Sequence, residues 1–354
     1  MEPLRGEESA VGGPVVTRGC RIDSGSVRSV LDTDERPRFA WATAAESFAA
    51  AGSAATLTAE GPDRFAEVRS AADELFDRCE TPVGLPSVAR PRLVGGFSFH
   101  HGDHDGAASP WAEFPGGAFF LPEVQLTVRD GDRWLTTAAT GPDAAQRADD
   151  LLSTWRERLA TDRPTIGSAN PGIVSRERDP SQAAWRRQVR AAVDSVEDGS
   201  LQKVVLAQAL RVQLESALSV PDVVGRLAAT YPDCYRFMFS PGSESTFFGA
   251  TPERLVSLHG RTVRTEALAG STGRGDTPAE DEWLASELLD SEKDIHEHEL
   301  VAEAVRDQLE PYAASVRIGD RTVRRLATVQ HLRTLITAEL ADDEHVLSLV
   351  DALH

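Results

Sequence analysis

Only two lysines stand beside 35 arginines in this chain of 354 residues, and both, Lys203 and Lys293, fall among other residues able to do chemistry. An arginine side chain stays protonated in proteins, whereas a lysine ammonium can be pushed to release its proton and act as a base. A position that keeps lysine in a chain built on arginine is thus a candidate for proton transfer, with chance retention as the alternative. Lys293 lies in DSEKDIHEHELVAEAV, where Asp294 and Glu297 are three residues apart and can present carboxylate oxygens together. Such oxygens suit a hard ion such as Mg²⁺, although the same spacing also describes a solvated acidic face. HEHE is not a zinc motif, because the second ligand position after His296 is Leu300, which has no donor atom. His296 and His298, two apart, point to different faces of a helix. The stretch AGSTGRG, containing Gly270 and Ser271, either makes a turn or offers backbone N–H groups to a carboxylate. Glu253 follows a proline in a loop and by itself is one of 56 acids.

The elements that must hold these residues follow from hydrophobic period and capping. Asp179 and Ser181 can cap a helix through Glu197, with Trp185, Val189, Ala192 and Val196 at helical spacing. Gly199 stops it before the strand-like LQKVVLAQAL, which sets Lys203 at the mouth of a strand. CYRFMFS, TFFGATPERLVSL and TVRTEALAGSTGRG read as a strand meander, turning at His259-Gly260 and ending in a glycine-rich loop. One long helix is expected from about Pro278 to Leu309, its inner face formed by Leu284, Leu288, Ile295, Val301 and Val305. In the first half, strand-like runs at 38–43, 54–59, 92–99, 117–128 and 134–139 alternate with helical runs at 63–78 and 143–159, an α/β pattern. TDRPTIGSANPGIVSRERDPS, ending at Ser181, reads as a linker or long crossing loop, which divides the chain near Val174 into parts 1–174 and 175–354.

Composition narrows the function classes. A formal charge of -19 keeps a surface hydrated and self-repelling in concentrated salt, which implies a salt-adapted host. It argues against nucleic acid and against anionic membranes, both of which call for basic patches. Three cysteines without a CxxC motif indicate neither a disulfide framework nor a zinc site, and point to a reducing cytosol. The N-terminus lacks a basic start and an apolar run, and no segment approaches the roughly 18 continuous apolar residues of a membrane span. A cytoplasmic, soluble chain is expected.

Taken in order, LQKVVLAQAL, FFGATPERLV, TEALAGSTGRG, LLDSEKDIHEHELVAEAV and VQHLRTLITAEL resemble the chorismate-binding enzymes, with GGFSF at 95–99 as a weaker echo. This family contains isochorismate synthases, salicylate synthases, anthranilate synthase large subunits and aminodeoxychorismate synthases. The resemblance implies one large α/β unit of stacked sheets with helices outside, so the Pro- and Gly-rich stretch would be a crossing loop. Members that add ammonia to chorismate carry glutamine at the position of Lys203, whereas members that add water carry lysine; the resemblance therefore implies that Lys203 deprotonates water. Burial lowers the pKa of a lysine ammonium toward that task. The resemblance further makes Glu253 the proton donor to the departing 4-hydroxyl and Glu297 a Mg²⁺ ligand, with Asp294 in support. Gly270 and Ser271 would approach the substrate, and His331 would contact its hydroxyl or carboxylate region, unless it is a histidine buried between strands.

Ala267-Leu268 stand where amine-forming relatives usually show Pro-Ile, a second indication of water addition, while Gln208 departs from the arginine common in isochorismate synthases. VLSLVDALH resembles the start of a family segment that continues further, so a C-terminally truncated chain is expected, with later strands, a second metal-binding glutamate and a substrate arginine lacking. The implied activity is Mg²⁺-dependent conversion of chorismate to isochorismate, with menaquinone biosynthesis as its setting and no obligatory protein partner. Salicylate synthase, which goes on to eliminate pyruvate, and a chorismate-binding fragment without turnover are the alternatives.

Overall fold

A computed structural model of the chain describes residues 13–100, 109–161, 170–201 and 203–354. These fall into two compact units, one within 1–164 and 224–354 and the other within 165–223. The larger unit opens with β1 (Val15–Ile22), α1 (Val27–Leu31), β2 (Arg38–Ala42), β3 (Glu46–Ala59) and α2 (Arg64–Asp77). It continues with β4 (Cys79–Glu80), β5 (Val94–Phe97), β6 (Gly117–Arg129), β7 (Asp132–Thr140) and α3 (Ala144–Ala160). The smaller unit holds β8 (Ile173–Asp179), α4 (Gln182–Glu197) and β9 (Ala209–Leu214), after which α5 (Val220–Thr230) begins. The larger unit then resumes with β10 (Tyr235–Ser240), β11 (Phe247–Thr251), β12 (Ser257–His259) and β13 (Thr262–Gly273). It closes with α6 (Pro278–Asp290), α7 (Glu292–Leu309), β14 (Ala313–Arg325), β15 (Val329–Leu340) and α8 (Val346–Leu353).

Two sheets make up the larger unit. Nine strands form the first, in the order β11-β10-β2-β3-β6-β7-β1-β4, with β5 pairing the part of β6 that β7 leaves open. Its centre is the alanine-rich β3, where Ala49, Ala50, Ala51 and Ala55 are all buried, as expected of a strand covered on both faces. Leu75 of α2 packs with Ala54, Ala55 and Leu121, and Ala144 and Ala148 of α3 pack with Val16 and Ala139. The second sheet runs β12-β13-β15-β14 and is antiparallel throughout. One face of it meets α7 and α8, where Val263, Ala267, Ile336 and Ala338 enclose Ala302, Leu309 and Leu349. Leu309 and Ile336 are fully enclosed, and burying each such side chain stabilises by roughly 1.5–3 kcal/mol.

Several expected elements take a different form. The expected meander changes sheet partway: β10 and β11 belong to the nine-stranded sheet, β12 and β13 to the four-stranded one. The single helix over 278–309 is two helices meeting at Ser291. Its hydroxyl accepts a hydrogen bond from the Asp294 N–H, an N-cap bond that competes with continuing the helix. AGSTGRG is not a loop up to Gly273, because β13 continues through it. Part of the Pro- and Gly-rich stretch is the strand β8, paired antiparallel with β9 from Ile173↔Leu214 to Asp179↔Ala209; the other part, 162–169, lies outside the described residues. No described helix is long and apolar enough to cross a membrane.

Candidate active site

Glu253 lies in the segment that carries the chain from one sheet to the other, between Thr251 at the end of β11 and Ser257 at the start of β12. Its side chain is exposed, but its backbone is not left to wander. The Glu253 N–H donates to the Thr251 hydroxyl at 3.1 Å, and the Leu255 carbonyl accepts from the Thr265 hydroxyl at 2.6 Å. Beside it opens a cleft of about 1040 Å³, lined on its aromatic side by Trp41, Phe97, Trp111, Tyr235 and Phe237. A cleft of that size and apolar character can enclose a small ring compound, with a carboxyl group at its edge.

Gly270, Ser271 and His331 come together around a bulge in β13. Alternation puts Ala267 and Ala269 toward α7, and the register then shifts between Ala269 and Ser271, so that Ser271 faces His331 of β15. Gly270 absorbs the extra residue at φ +79°, a conformation open to glycine and strained for other side chains. A Cβ added there would sit 3.2 Å from Asp294 Cβ and 3.2 Å from Leu332 Cδ1, so the bulge rests directly on α7. The Ser271 hydroxyl lies 2.7 Å from His331 Nδ1. Burial pushes the His331 imidazole below its ordinary pKa and Arg324 pushes it the same way, against a hydrogen bond with the Gly270 backbone. Both lowering effects favour the uncharged ring at neutral pH.

Asp294 and Glu297 occupy the first turns of α7 and are half-buried. Asp294 receives the Ser291 hydroxyl at 2.5 Å, which orients its carboxylate at the helix start. The two acids are hard oxygen donors one turn apart, and Mg²⁺, which keeps several waters, needs few protein ligands, so this pair fits part of a Mg²⁺ shell. Among the described residues, no three His, Cys, Asp or Glu side chains converge as a metal cage.

Lys203 belongs to the smaller unit, whereas the other candidate residues belong to the larger. The strand expected at LQKVVLAQAL starts only at Ala209, so Lys203 is half-buried in irregular chain ahead of it. The cause is the partner: β8 ends at Asp179, opposite Ala209, and the following Pro180 and Ser181 lead into α4. No ladder therefore continues beside 203–208. Gln208 closes it instead, donating to the Pro180 carbonyl at 3.0 Å and accepting from Arg178 at 3.0 Å.

Several residues to which the sequence assigns no role shape this region. His298 is buried, its Nδ1 3.1 Å from the Ala269 carbonyl and its Nε2 2.8 Å from the Thr334 hydroxyl, so it ties α7 to both β13 and β15 beside the bulge. A carbonyl only accepts, which places the proton on Nδ1. Glu266 is buried with Arg324 and Arg333 against its carboxylate, and Arg324 stands opposite His331 in the register of β14 with β15. Alternation along a strand says which residues share a face, but which distant strands lie side by side is not written in the local pattern. At the far end of the bulge Arg274 forks onto Asp281, holding that carboxyl down at about 2 and fixing the end of β13 to α6.

The chain is similar to known proteins in sequence and in fold. A family model described as chorismate binding enzyme matches residues 15–354. A salicylate biosynthesis isochorismate synthase from Pseudomonas aeruginosa is 34% identical over 94% of this chain and 69% of its own length. The isochorismate synthase MenF of Bacillus subtilis is 28% identical over 76% of this chain, which spans only 56% of that protein. In fold, the menaquinone-specific isochorismate synthase MenF of Escherichia coli superposes with a TM-score of 0.78 at 20% identity, covering 96% of this chain and 74% of that one. Since the family match runs over residues 15–354 and includes the bulge, the segment carrying Glu253 and α7, the chain belongs to the chorismate-binding enzyme family.

Proposed function

We propose that the protein is an isochorismate synthase, converting chorismate to isochorismate by addition of one water and departure of the 4-hydroxyl. The observation that carries this reading is Lys203, a lysine in the segment where ammonia-adding members of the family resemble this chain but keep glutamine. Lys203 accepts the proton of the attacking water; arginine in that place would hold its own proton and could not. Glu253, presented from its tethered loop beside the cleft, gives a proton to the leaving oxygen. Water therefore enters at one ring carbon and leaves from another, and no net atom is gained. Ser271 and the uncharged His331 contribute a hydroxyl and an imidazole that can hydrogen-bond substrate oxygens without adding charge. Asp294 and Glu297 would hold Mg²⁺, which when bound supplies positive charge to the ring carboxylate.

Menaquinone biosynthesis in the cytosol is the setting we propose, in keeping with the general need for respiratory quinone. Salicylate formation is the second reading, favoured by the name of the Pseudomonas aeruginosa relative. Incubating the purified protein with chorismate and Mg²⁺ in high salt, and resolving isochorismate, salicylate and pyruvate by chromatography, separates them. Isochorismate without pyruvate is expected. Salicylate with an equal amount of pyruvate would move the assignment to salicylate synthase, and an aminated product formed only with ammonia would refute water addition.

A further inference from the structure

We propose that Arg324, braced by Glu266, is a positioning residue that sets where Glu253 stands in the segment between β11 and β12; this rests on the reading of Glu253 as the proton donor. One Arg324 nitrogen, Nη1, donates to the Pro252 carbonyl at 2.7 Å, immediately before Glu253. The other, Nη2, donates to the Asp233 carbonyl at 3.0 Å, just ahead of β10. The guanidinium thus joins the two backbone segments that flank β10 and β11, both in the nine-stranded sheet, to β14 of the four-stranded sheet. It spans the junction at the point where Glu253 crosses it.

The brace is built for that orientation. The Glu266 side chain is only 1% exposed, and both its oxygens lie 3.4 and 3.5 Å from Arg324 Nη1. Arg333 meets the same carboxylate at 2.5 Å from the neighbouring strand. A carboxylate enclosed between two guanidinium groups fixes the direction of each fork, because a planar guanidinium has its donors in a rigid array. Arg324 is left with donors aimed at two carbonyls, and carbonyls can only accept. With the Thr251 and Thr265 hydroxyls already bound to the loop, the backbone on both sides of Glu253 is held while its carboxyl stays exposed. That is how a reacting group is held to the narrow geometry proton transfer requires, and misplacement by about 1 Å costs on the order of 10²-fold in rate.

The test is a double-mutant cycle in the intact protein, read as chorismate consumption with kcat and KM separated. Arg324→Ala is expected to lower kcat by roughly 10- to 100-fold while KM changes less than about threefold. Arg324→Lys, which can serve one carbonyl but not both, is expected between wild type and Arg324→Ala. Glu253→Gln should lower kcat further, and adding Arg324→Ala to it should cost far less in kcat than it does in the wild-type background, since the main action of Arg324 is through the carboxyl already removed. Multiplying losses in the double variant, or an unchanged kcat in Arg324→Ala, would overturn the proposal. Should Arg324→Ala fail to fold, the same cycle is run with Arg324→Lys and with Glu266→Gln, which retain size and test the same brace. Full activity in Glu253→Gln would sink the proton-donor reading itself, an outcome distinct from additivity.

Discussion

Lys203 and Glu253, to which opposite proton transfers are proposed, differ in what surrounds them. Glu253 is exposed at a cleft, with its loop tied on three sides, whereas Lys203 is half-buried in irregular chain between α4 and β9. In the proposed reaction Glu253 gives a proton to a substrate oxygen, which needs fixed presentation, and Lys203 accepts one, which arginine could not do. Lys203→Gln is expected to lower turnover by about 10² to 10⁴-fold, the usual worth of a general base, while leaving Mg²⁺-dependent substrate binding in place. Lys203→Arg should be no better despite its charge, because arginine does not deprotonate. Measured kcat for both variants, alongside a binding titration with chorismate, checks this. Activity within a few-fold of wild type in either one removes Lys203 from the role of base.

Between residue and molecule, the decisive local devices are a cap and a bulge. Ser291 ends α6 and starts α7 in a single residue, and so places Asp294 at the third position of a new helix rather than in the middle of an old one. The hydrophobic period over 278–309 runs on through Ser291, which is why periodicity reads one helix; only the capping hydroxyl marks the break. Strands that form apolar or β-branched runs, such as β6 and β7, and helices with clear apolar stripes, such as α2 and α3, are legible because local composition and burial agree. The Gly270 bulge is not legible, since a glycine between small residues reads equally as a turn, and its meaning depends on α7 lying beneath it. Nor could the Glu266, Arg324 and Arg333 cluster be found, because its members are up to 67 residues apart and meet only through strand pairing. The bulge makes its own prediction. Gly270→Ala forces a β-carbon into the left-handed region and against Asp294 and Leu332, which should cost about 1–3 kcal/mol in urea unfolding. It should also part Ser271 from His331, whose 2.7 Å contact depends on the shifted register, so KM for chorismate should rise as stability falls. A Gly270→Ala variant as stable as wild type would mean that the bulge carries no constraint.

At the scale of the whole molecule the dominant quantity is charge. With 56 acidic and 37 basic residues the chain carries -19, an excess that surface ion pairs such as Arg18 with Asp149 and Arg21 with Asp132 cannot neutralise. Like charges held at folded distances repel more than in an extended chain, so the excess opposes folding in dilute buffer. Screening changes the balance: the Debye length falls from about 10 Å at 0.1 M salt to about 3 Å at 1 M, short enough to separate neighbouring surface acids. Concentrated salt also strengthens apolar burial when its ions are excluded from protein surface. The folded state should therefore gain stability steadily from 0.1 M to molar KCl, seen as a rising urea midpoint at constant slope. Exposed pairs weaken under the same screening, but each is worth less than about 1 kcal/mol, too little to reverse the trend. Replacing KCl by an uncharged osmolyte of equal osmolality separates the causes, because an osmolyte favours burial without screening. A midpoint that rises with KCl well beyond its rise with sucrose identifies repulsion among the excess acids as the effect being relieved, whereas equal responses would assign the salt effect to apolar burial alone.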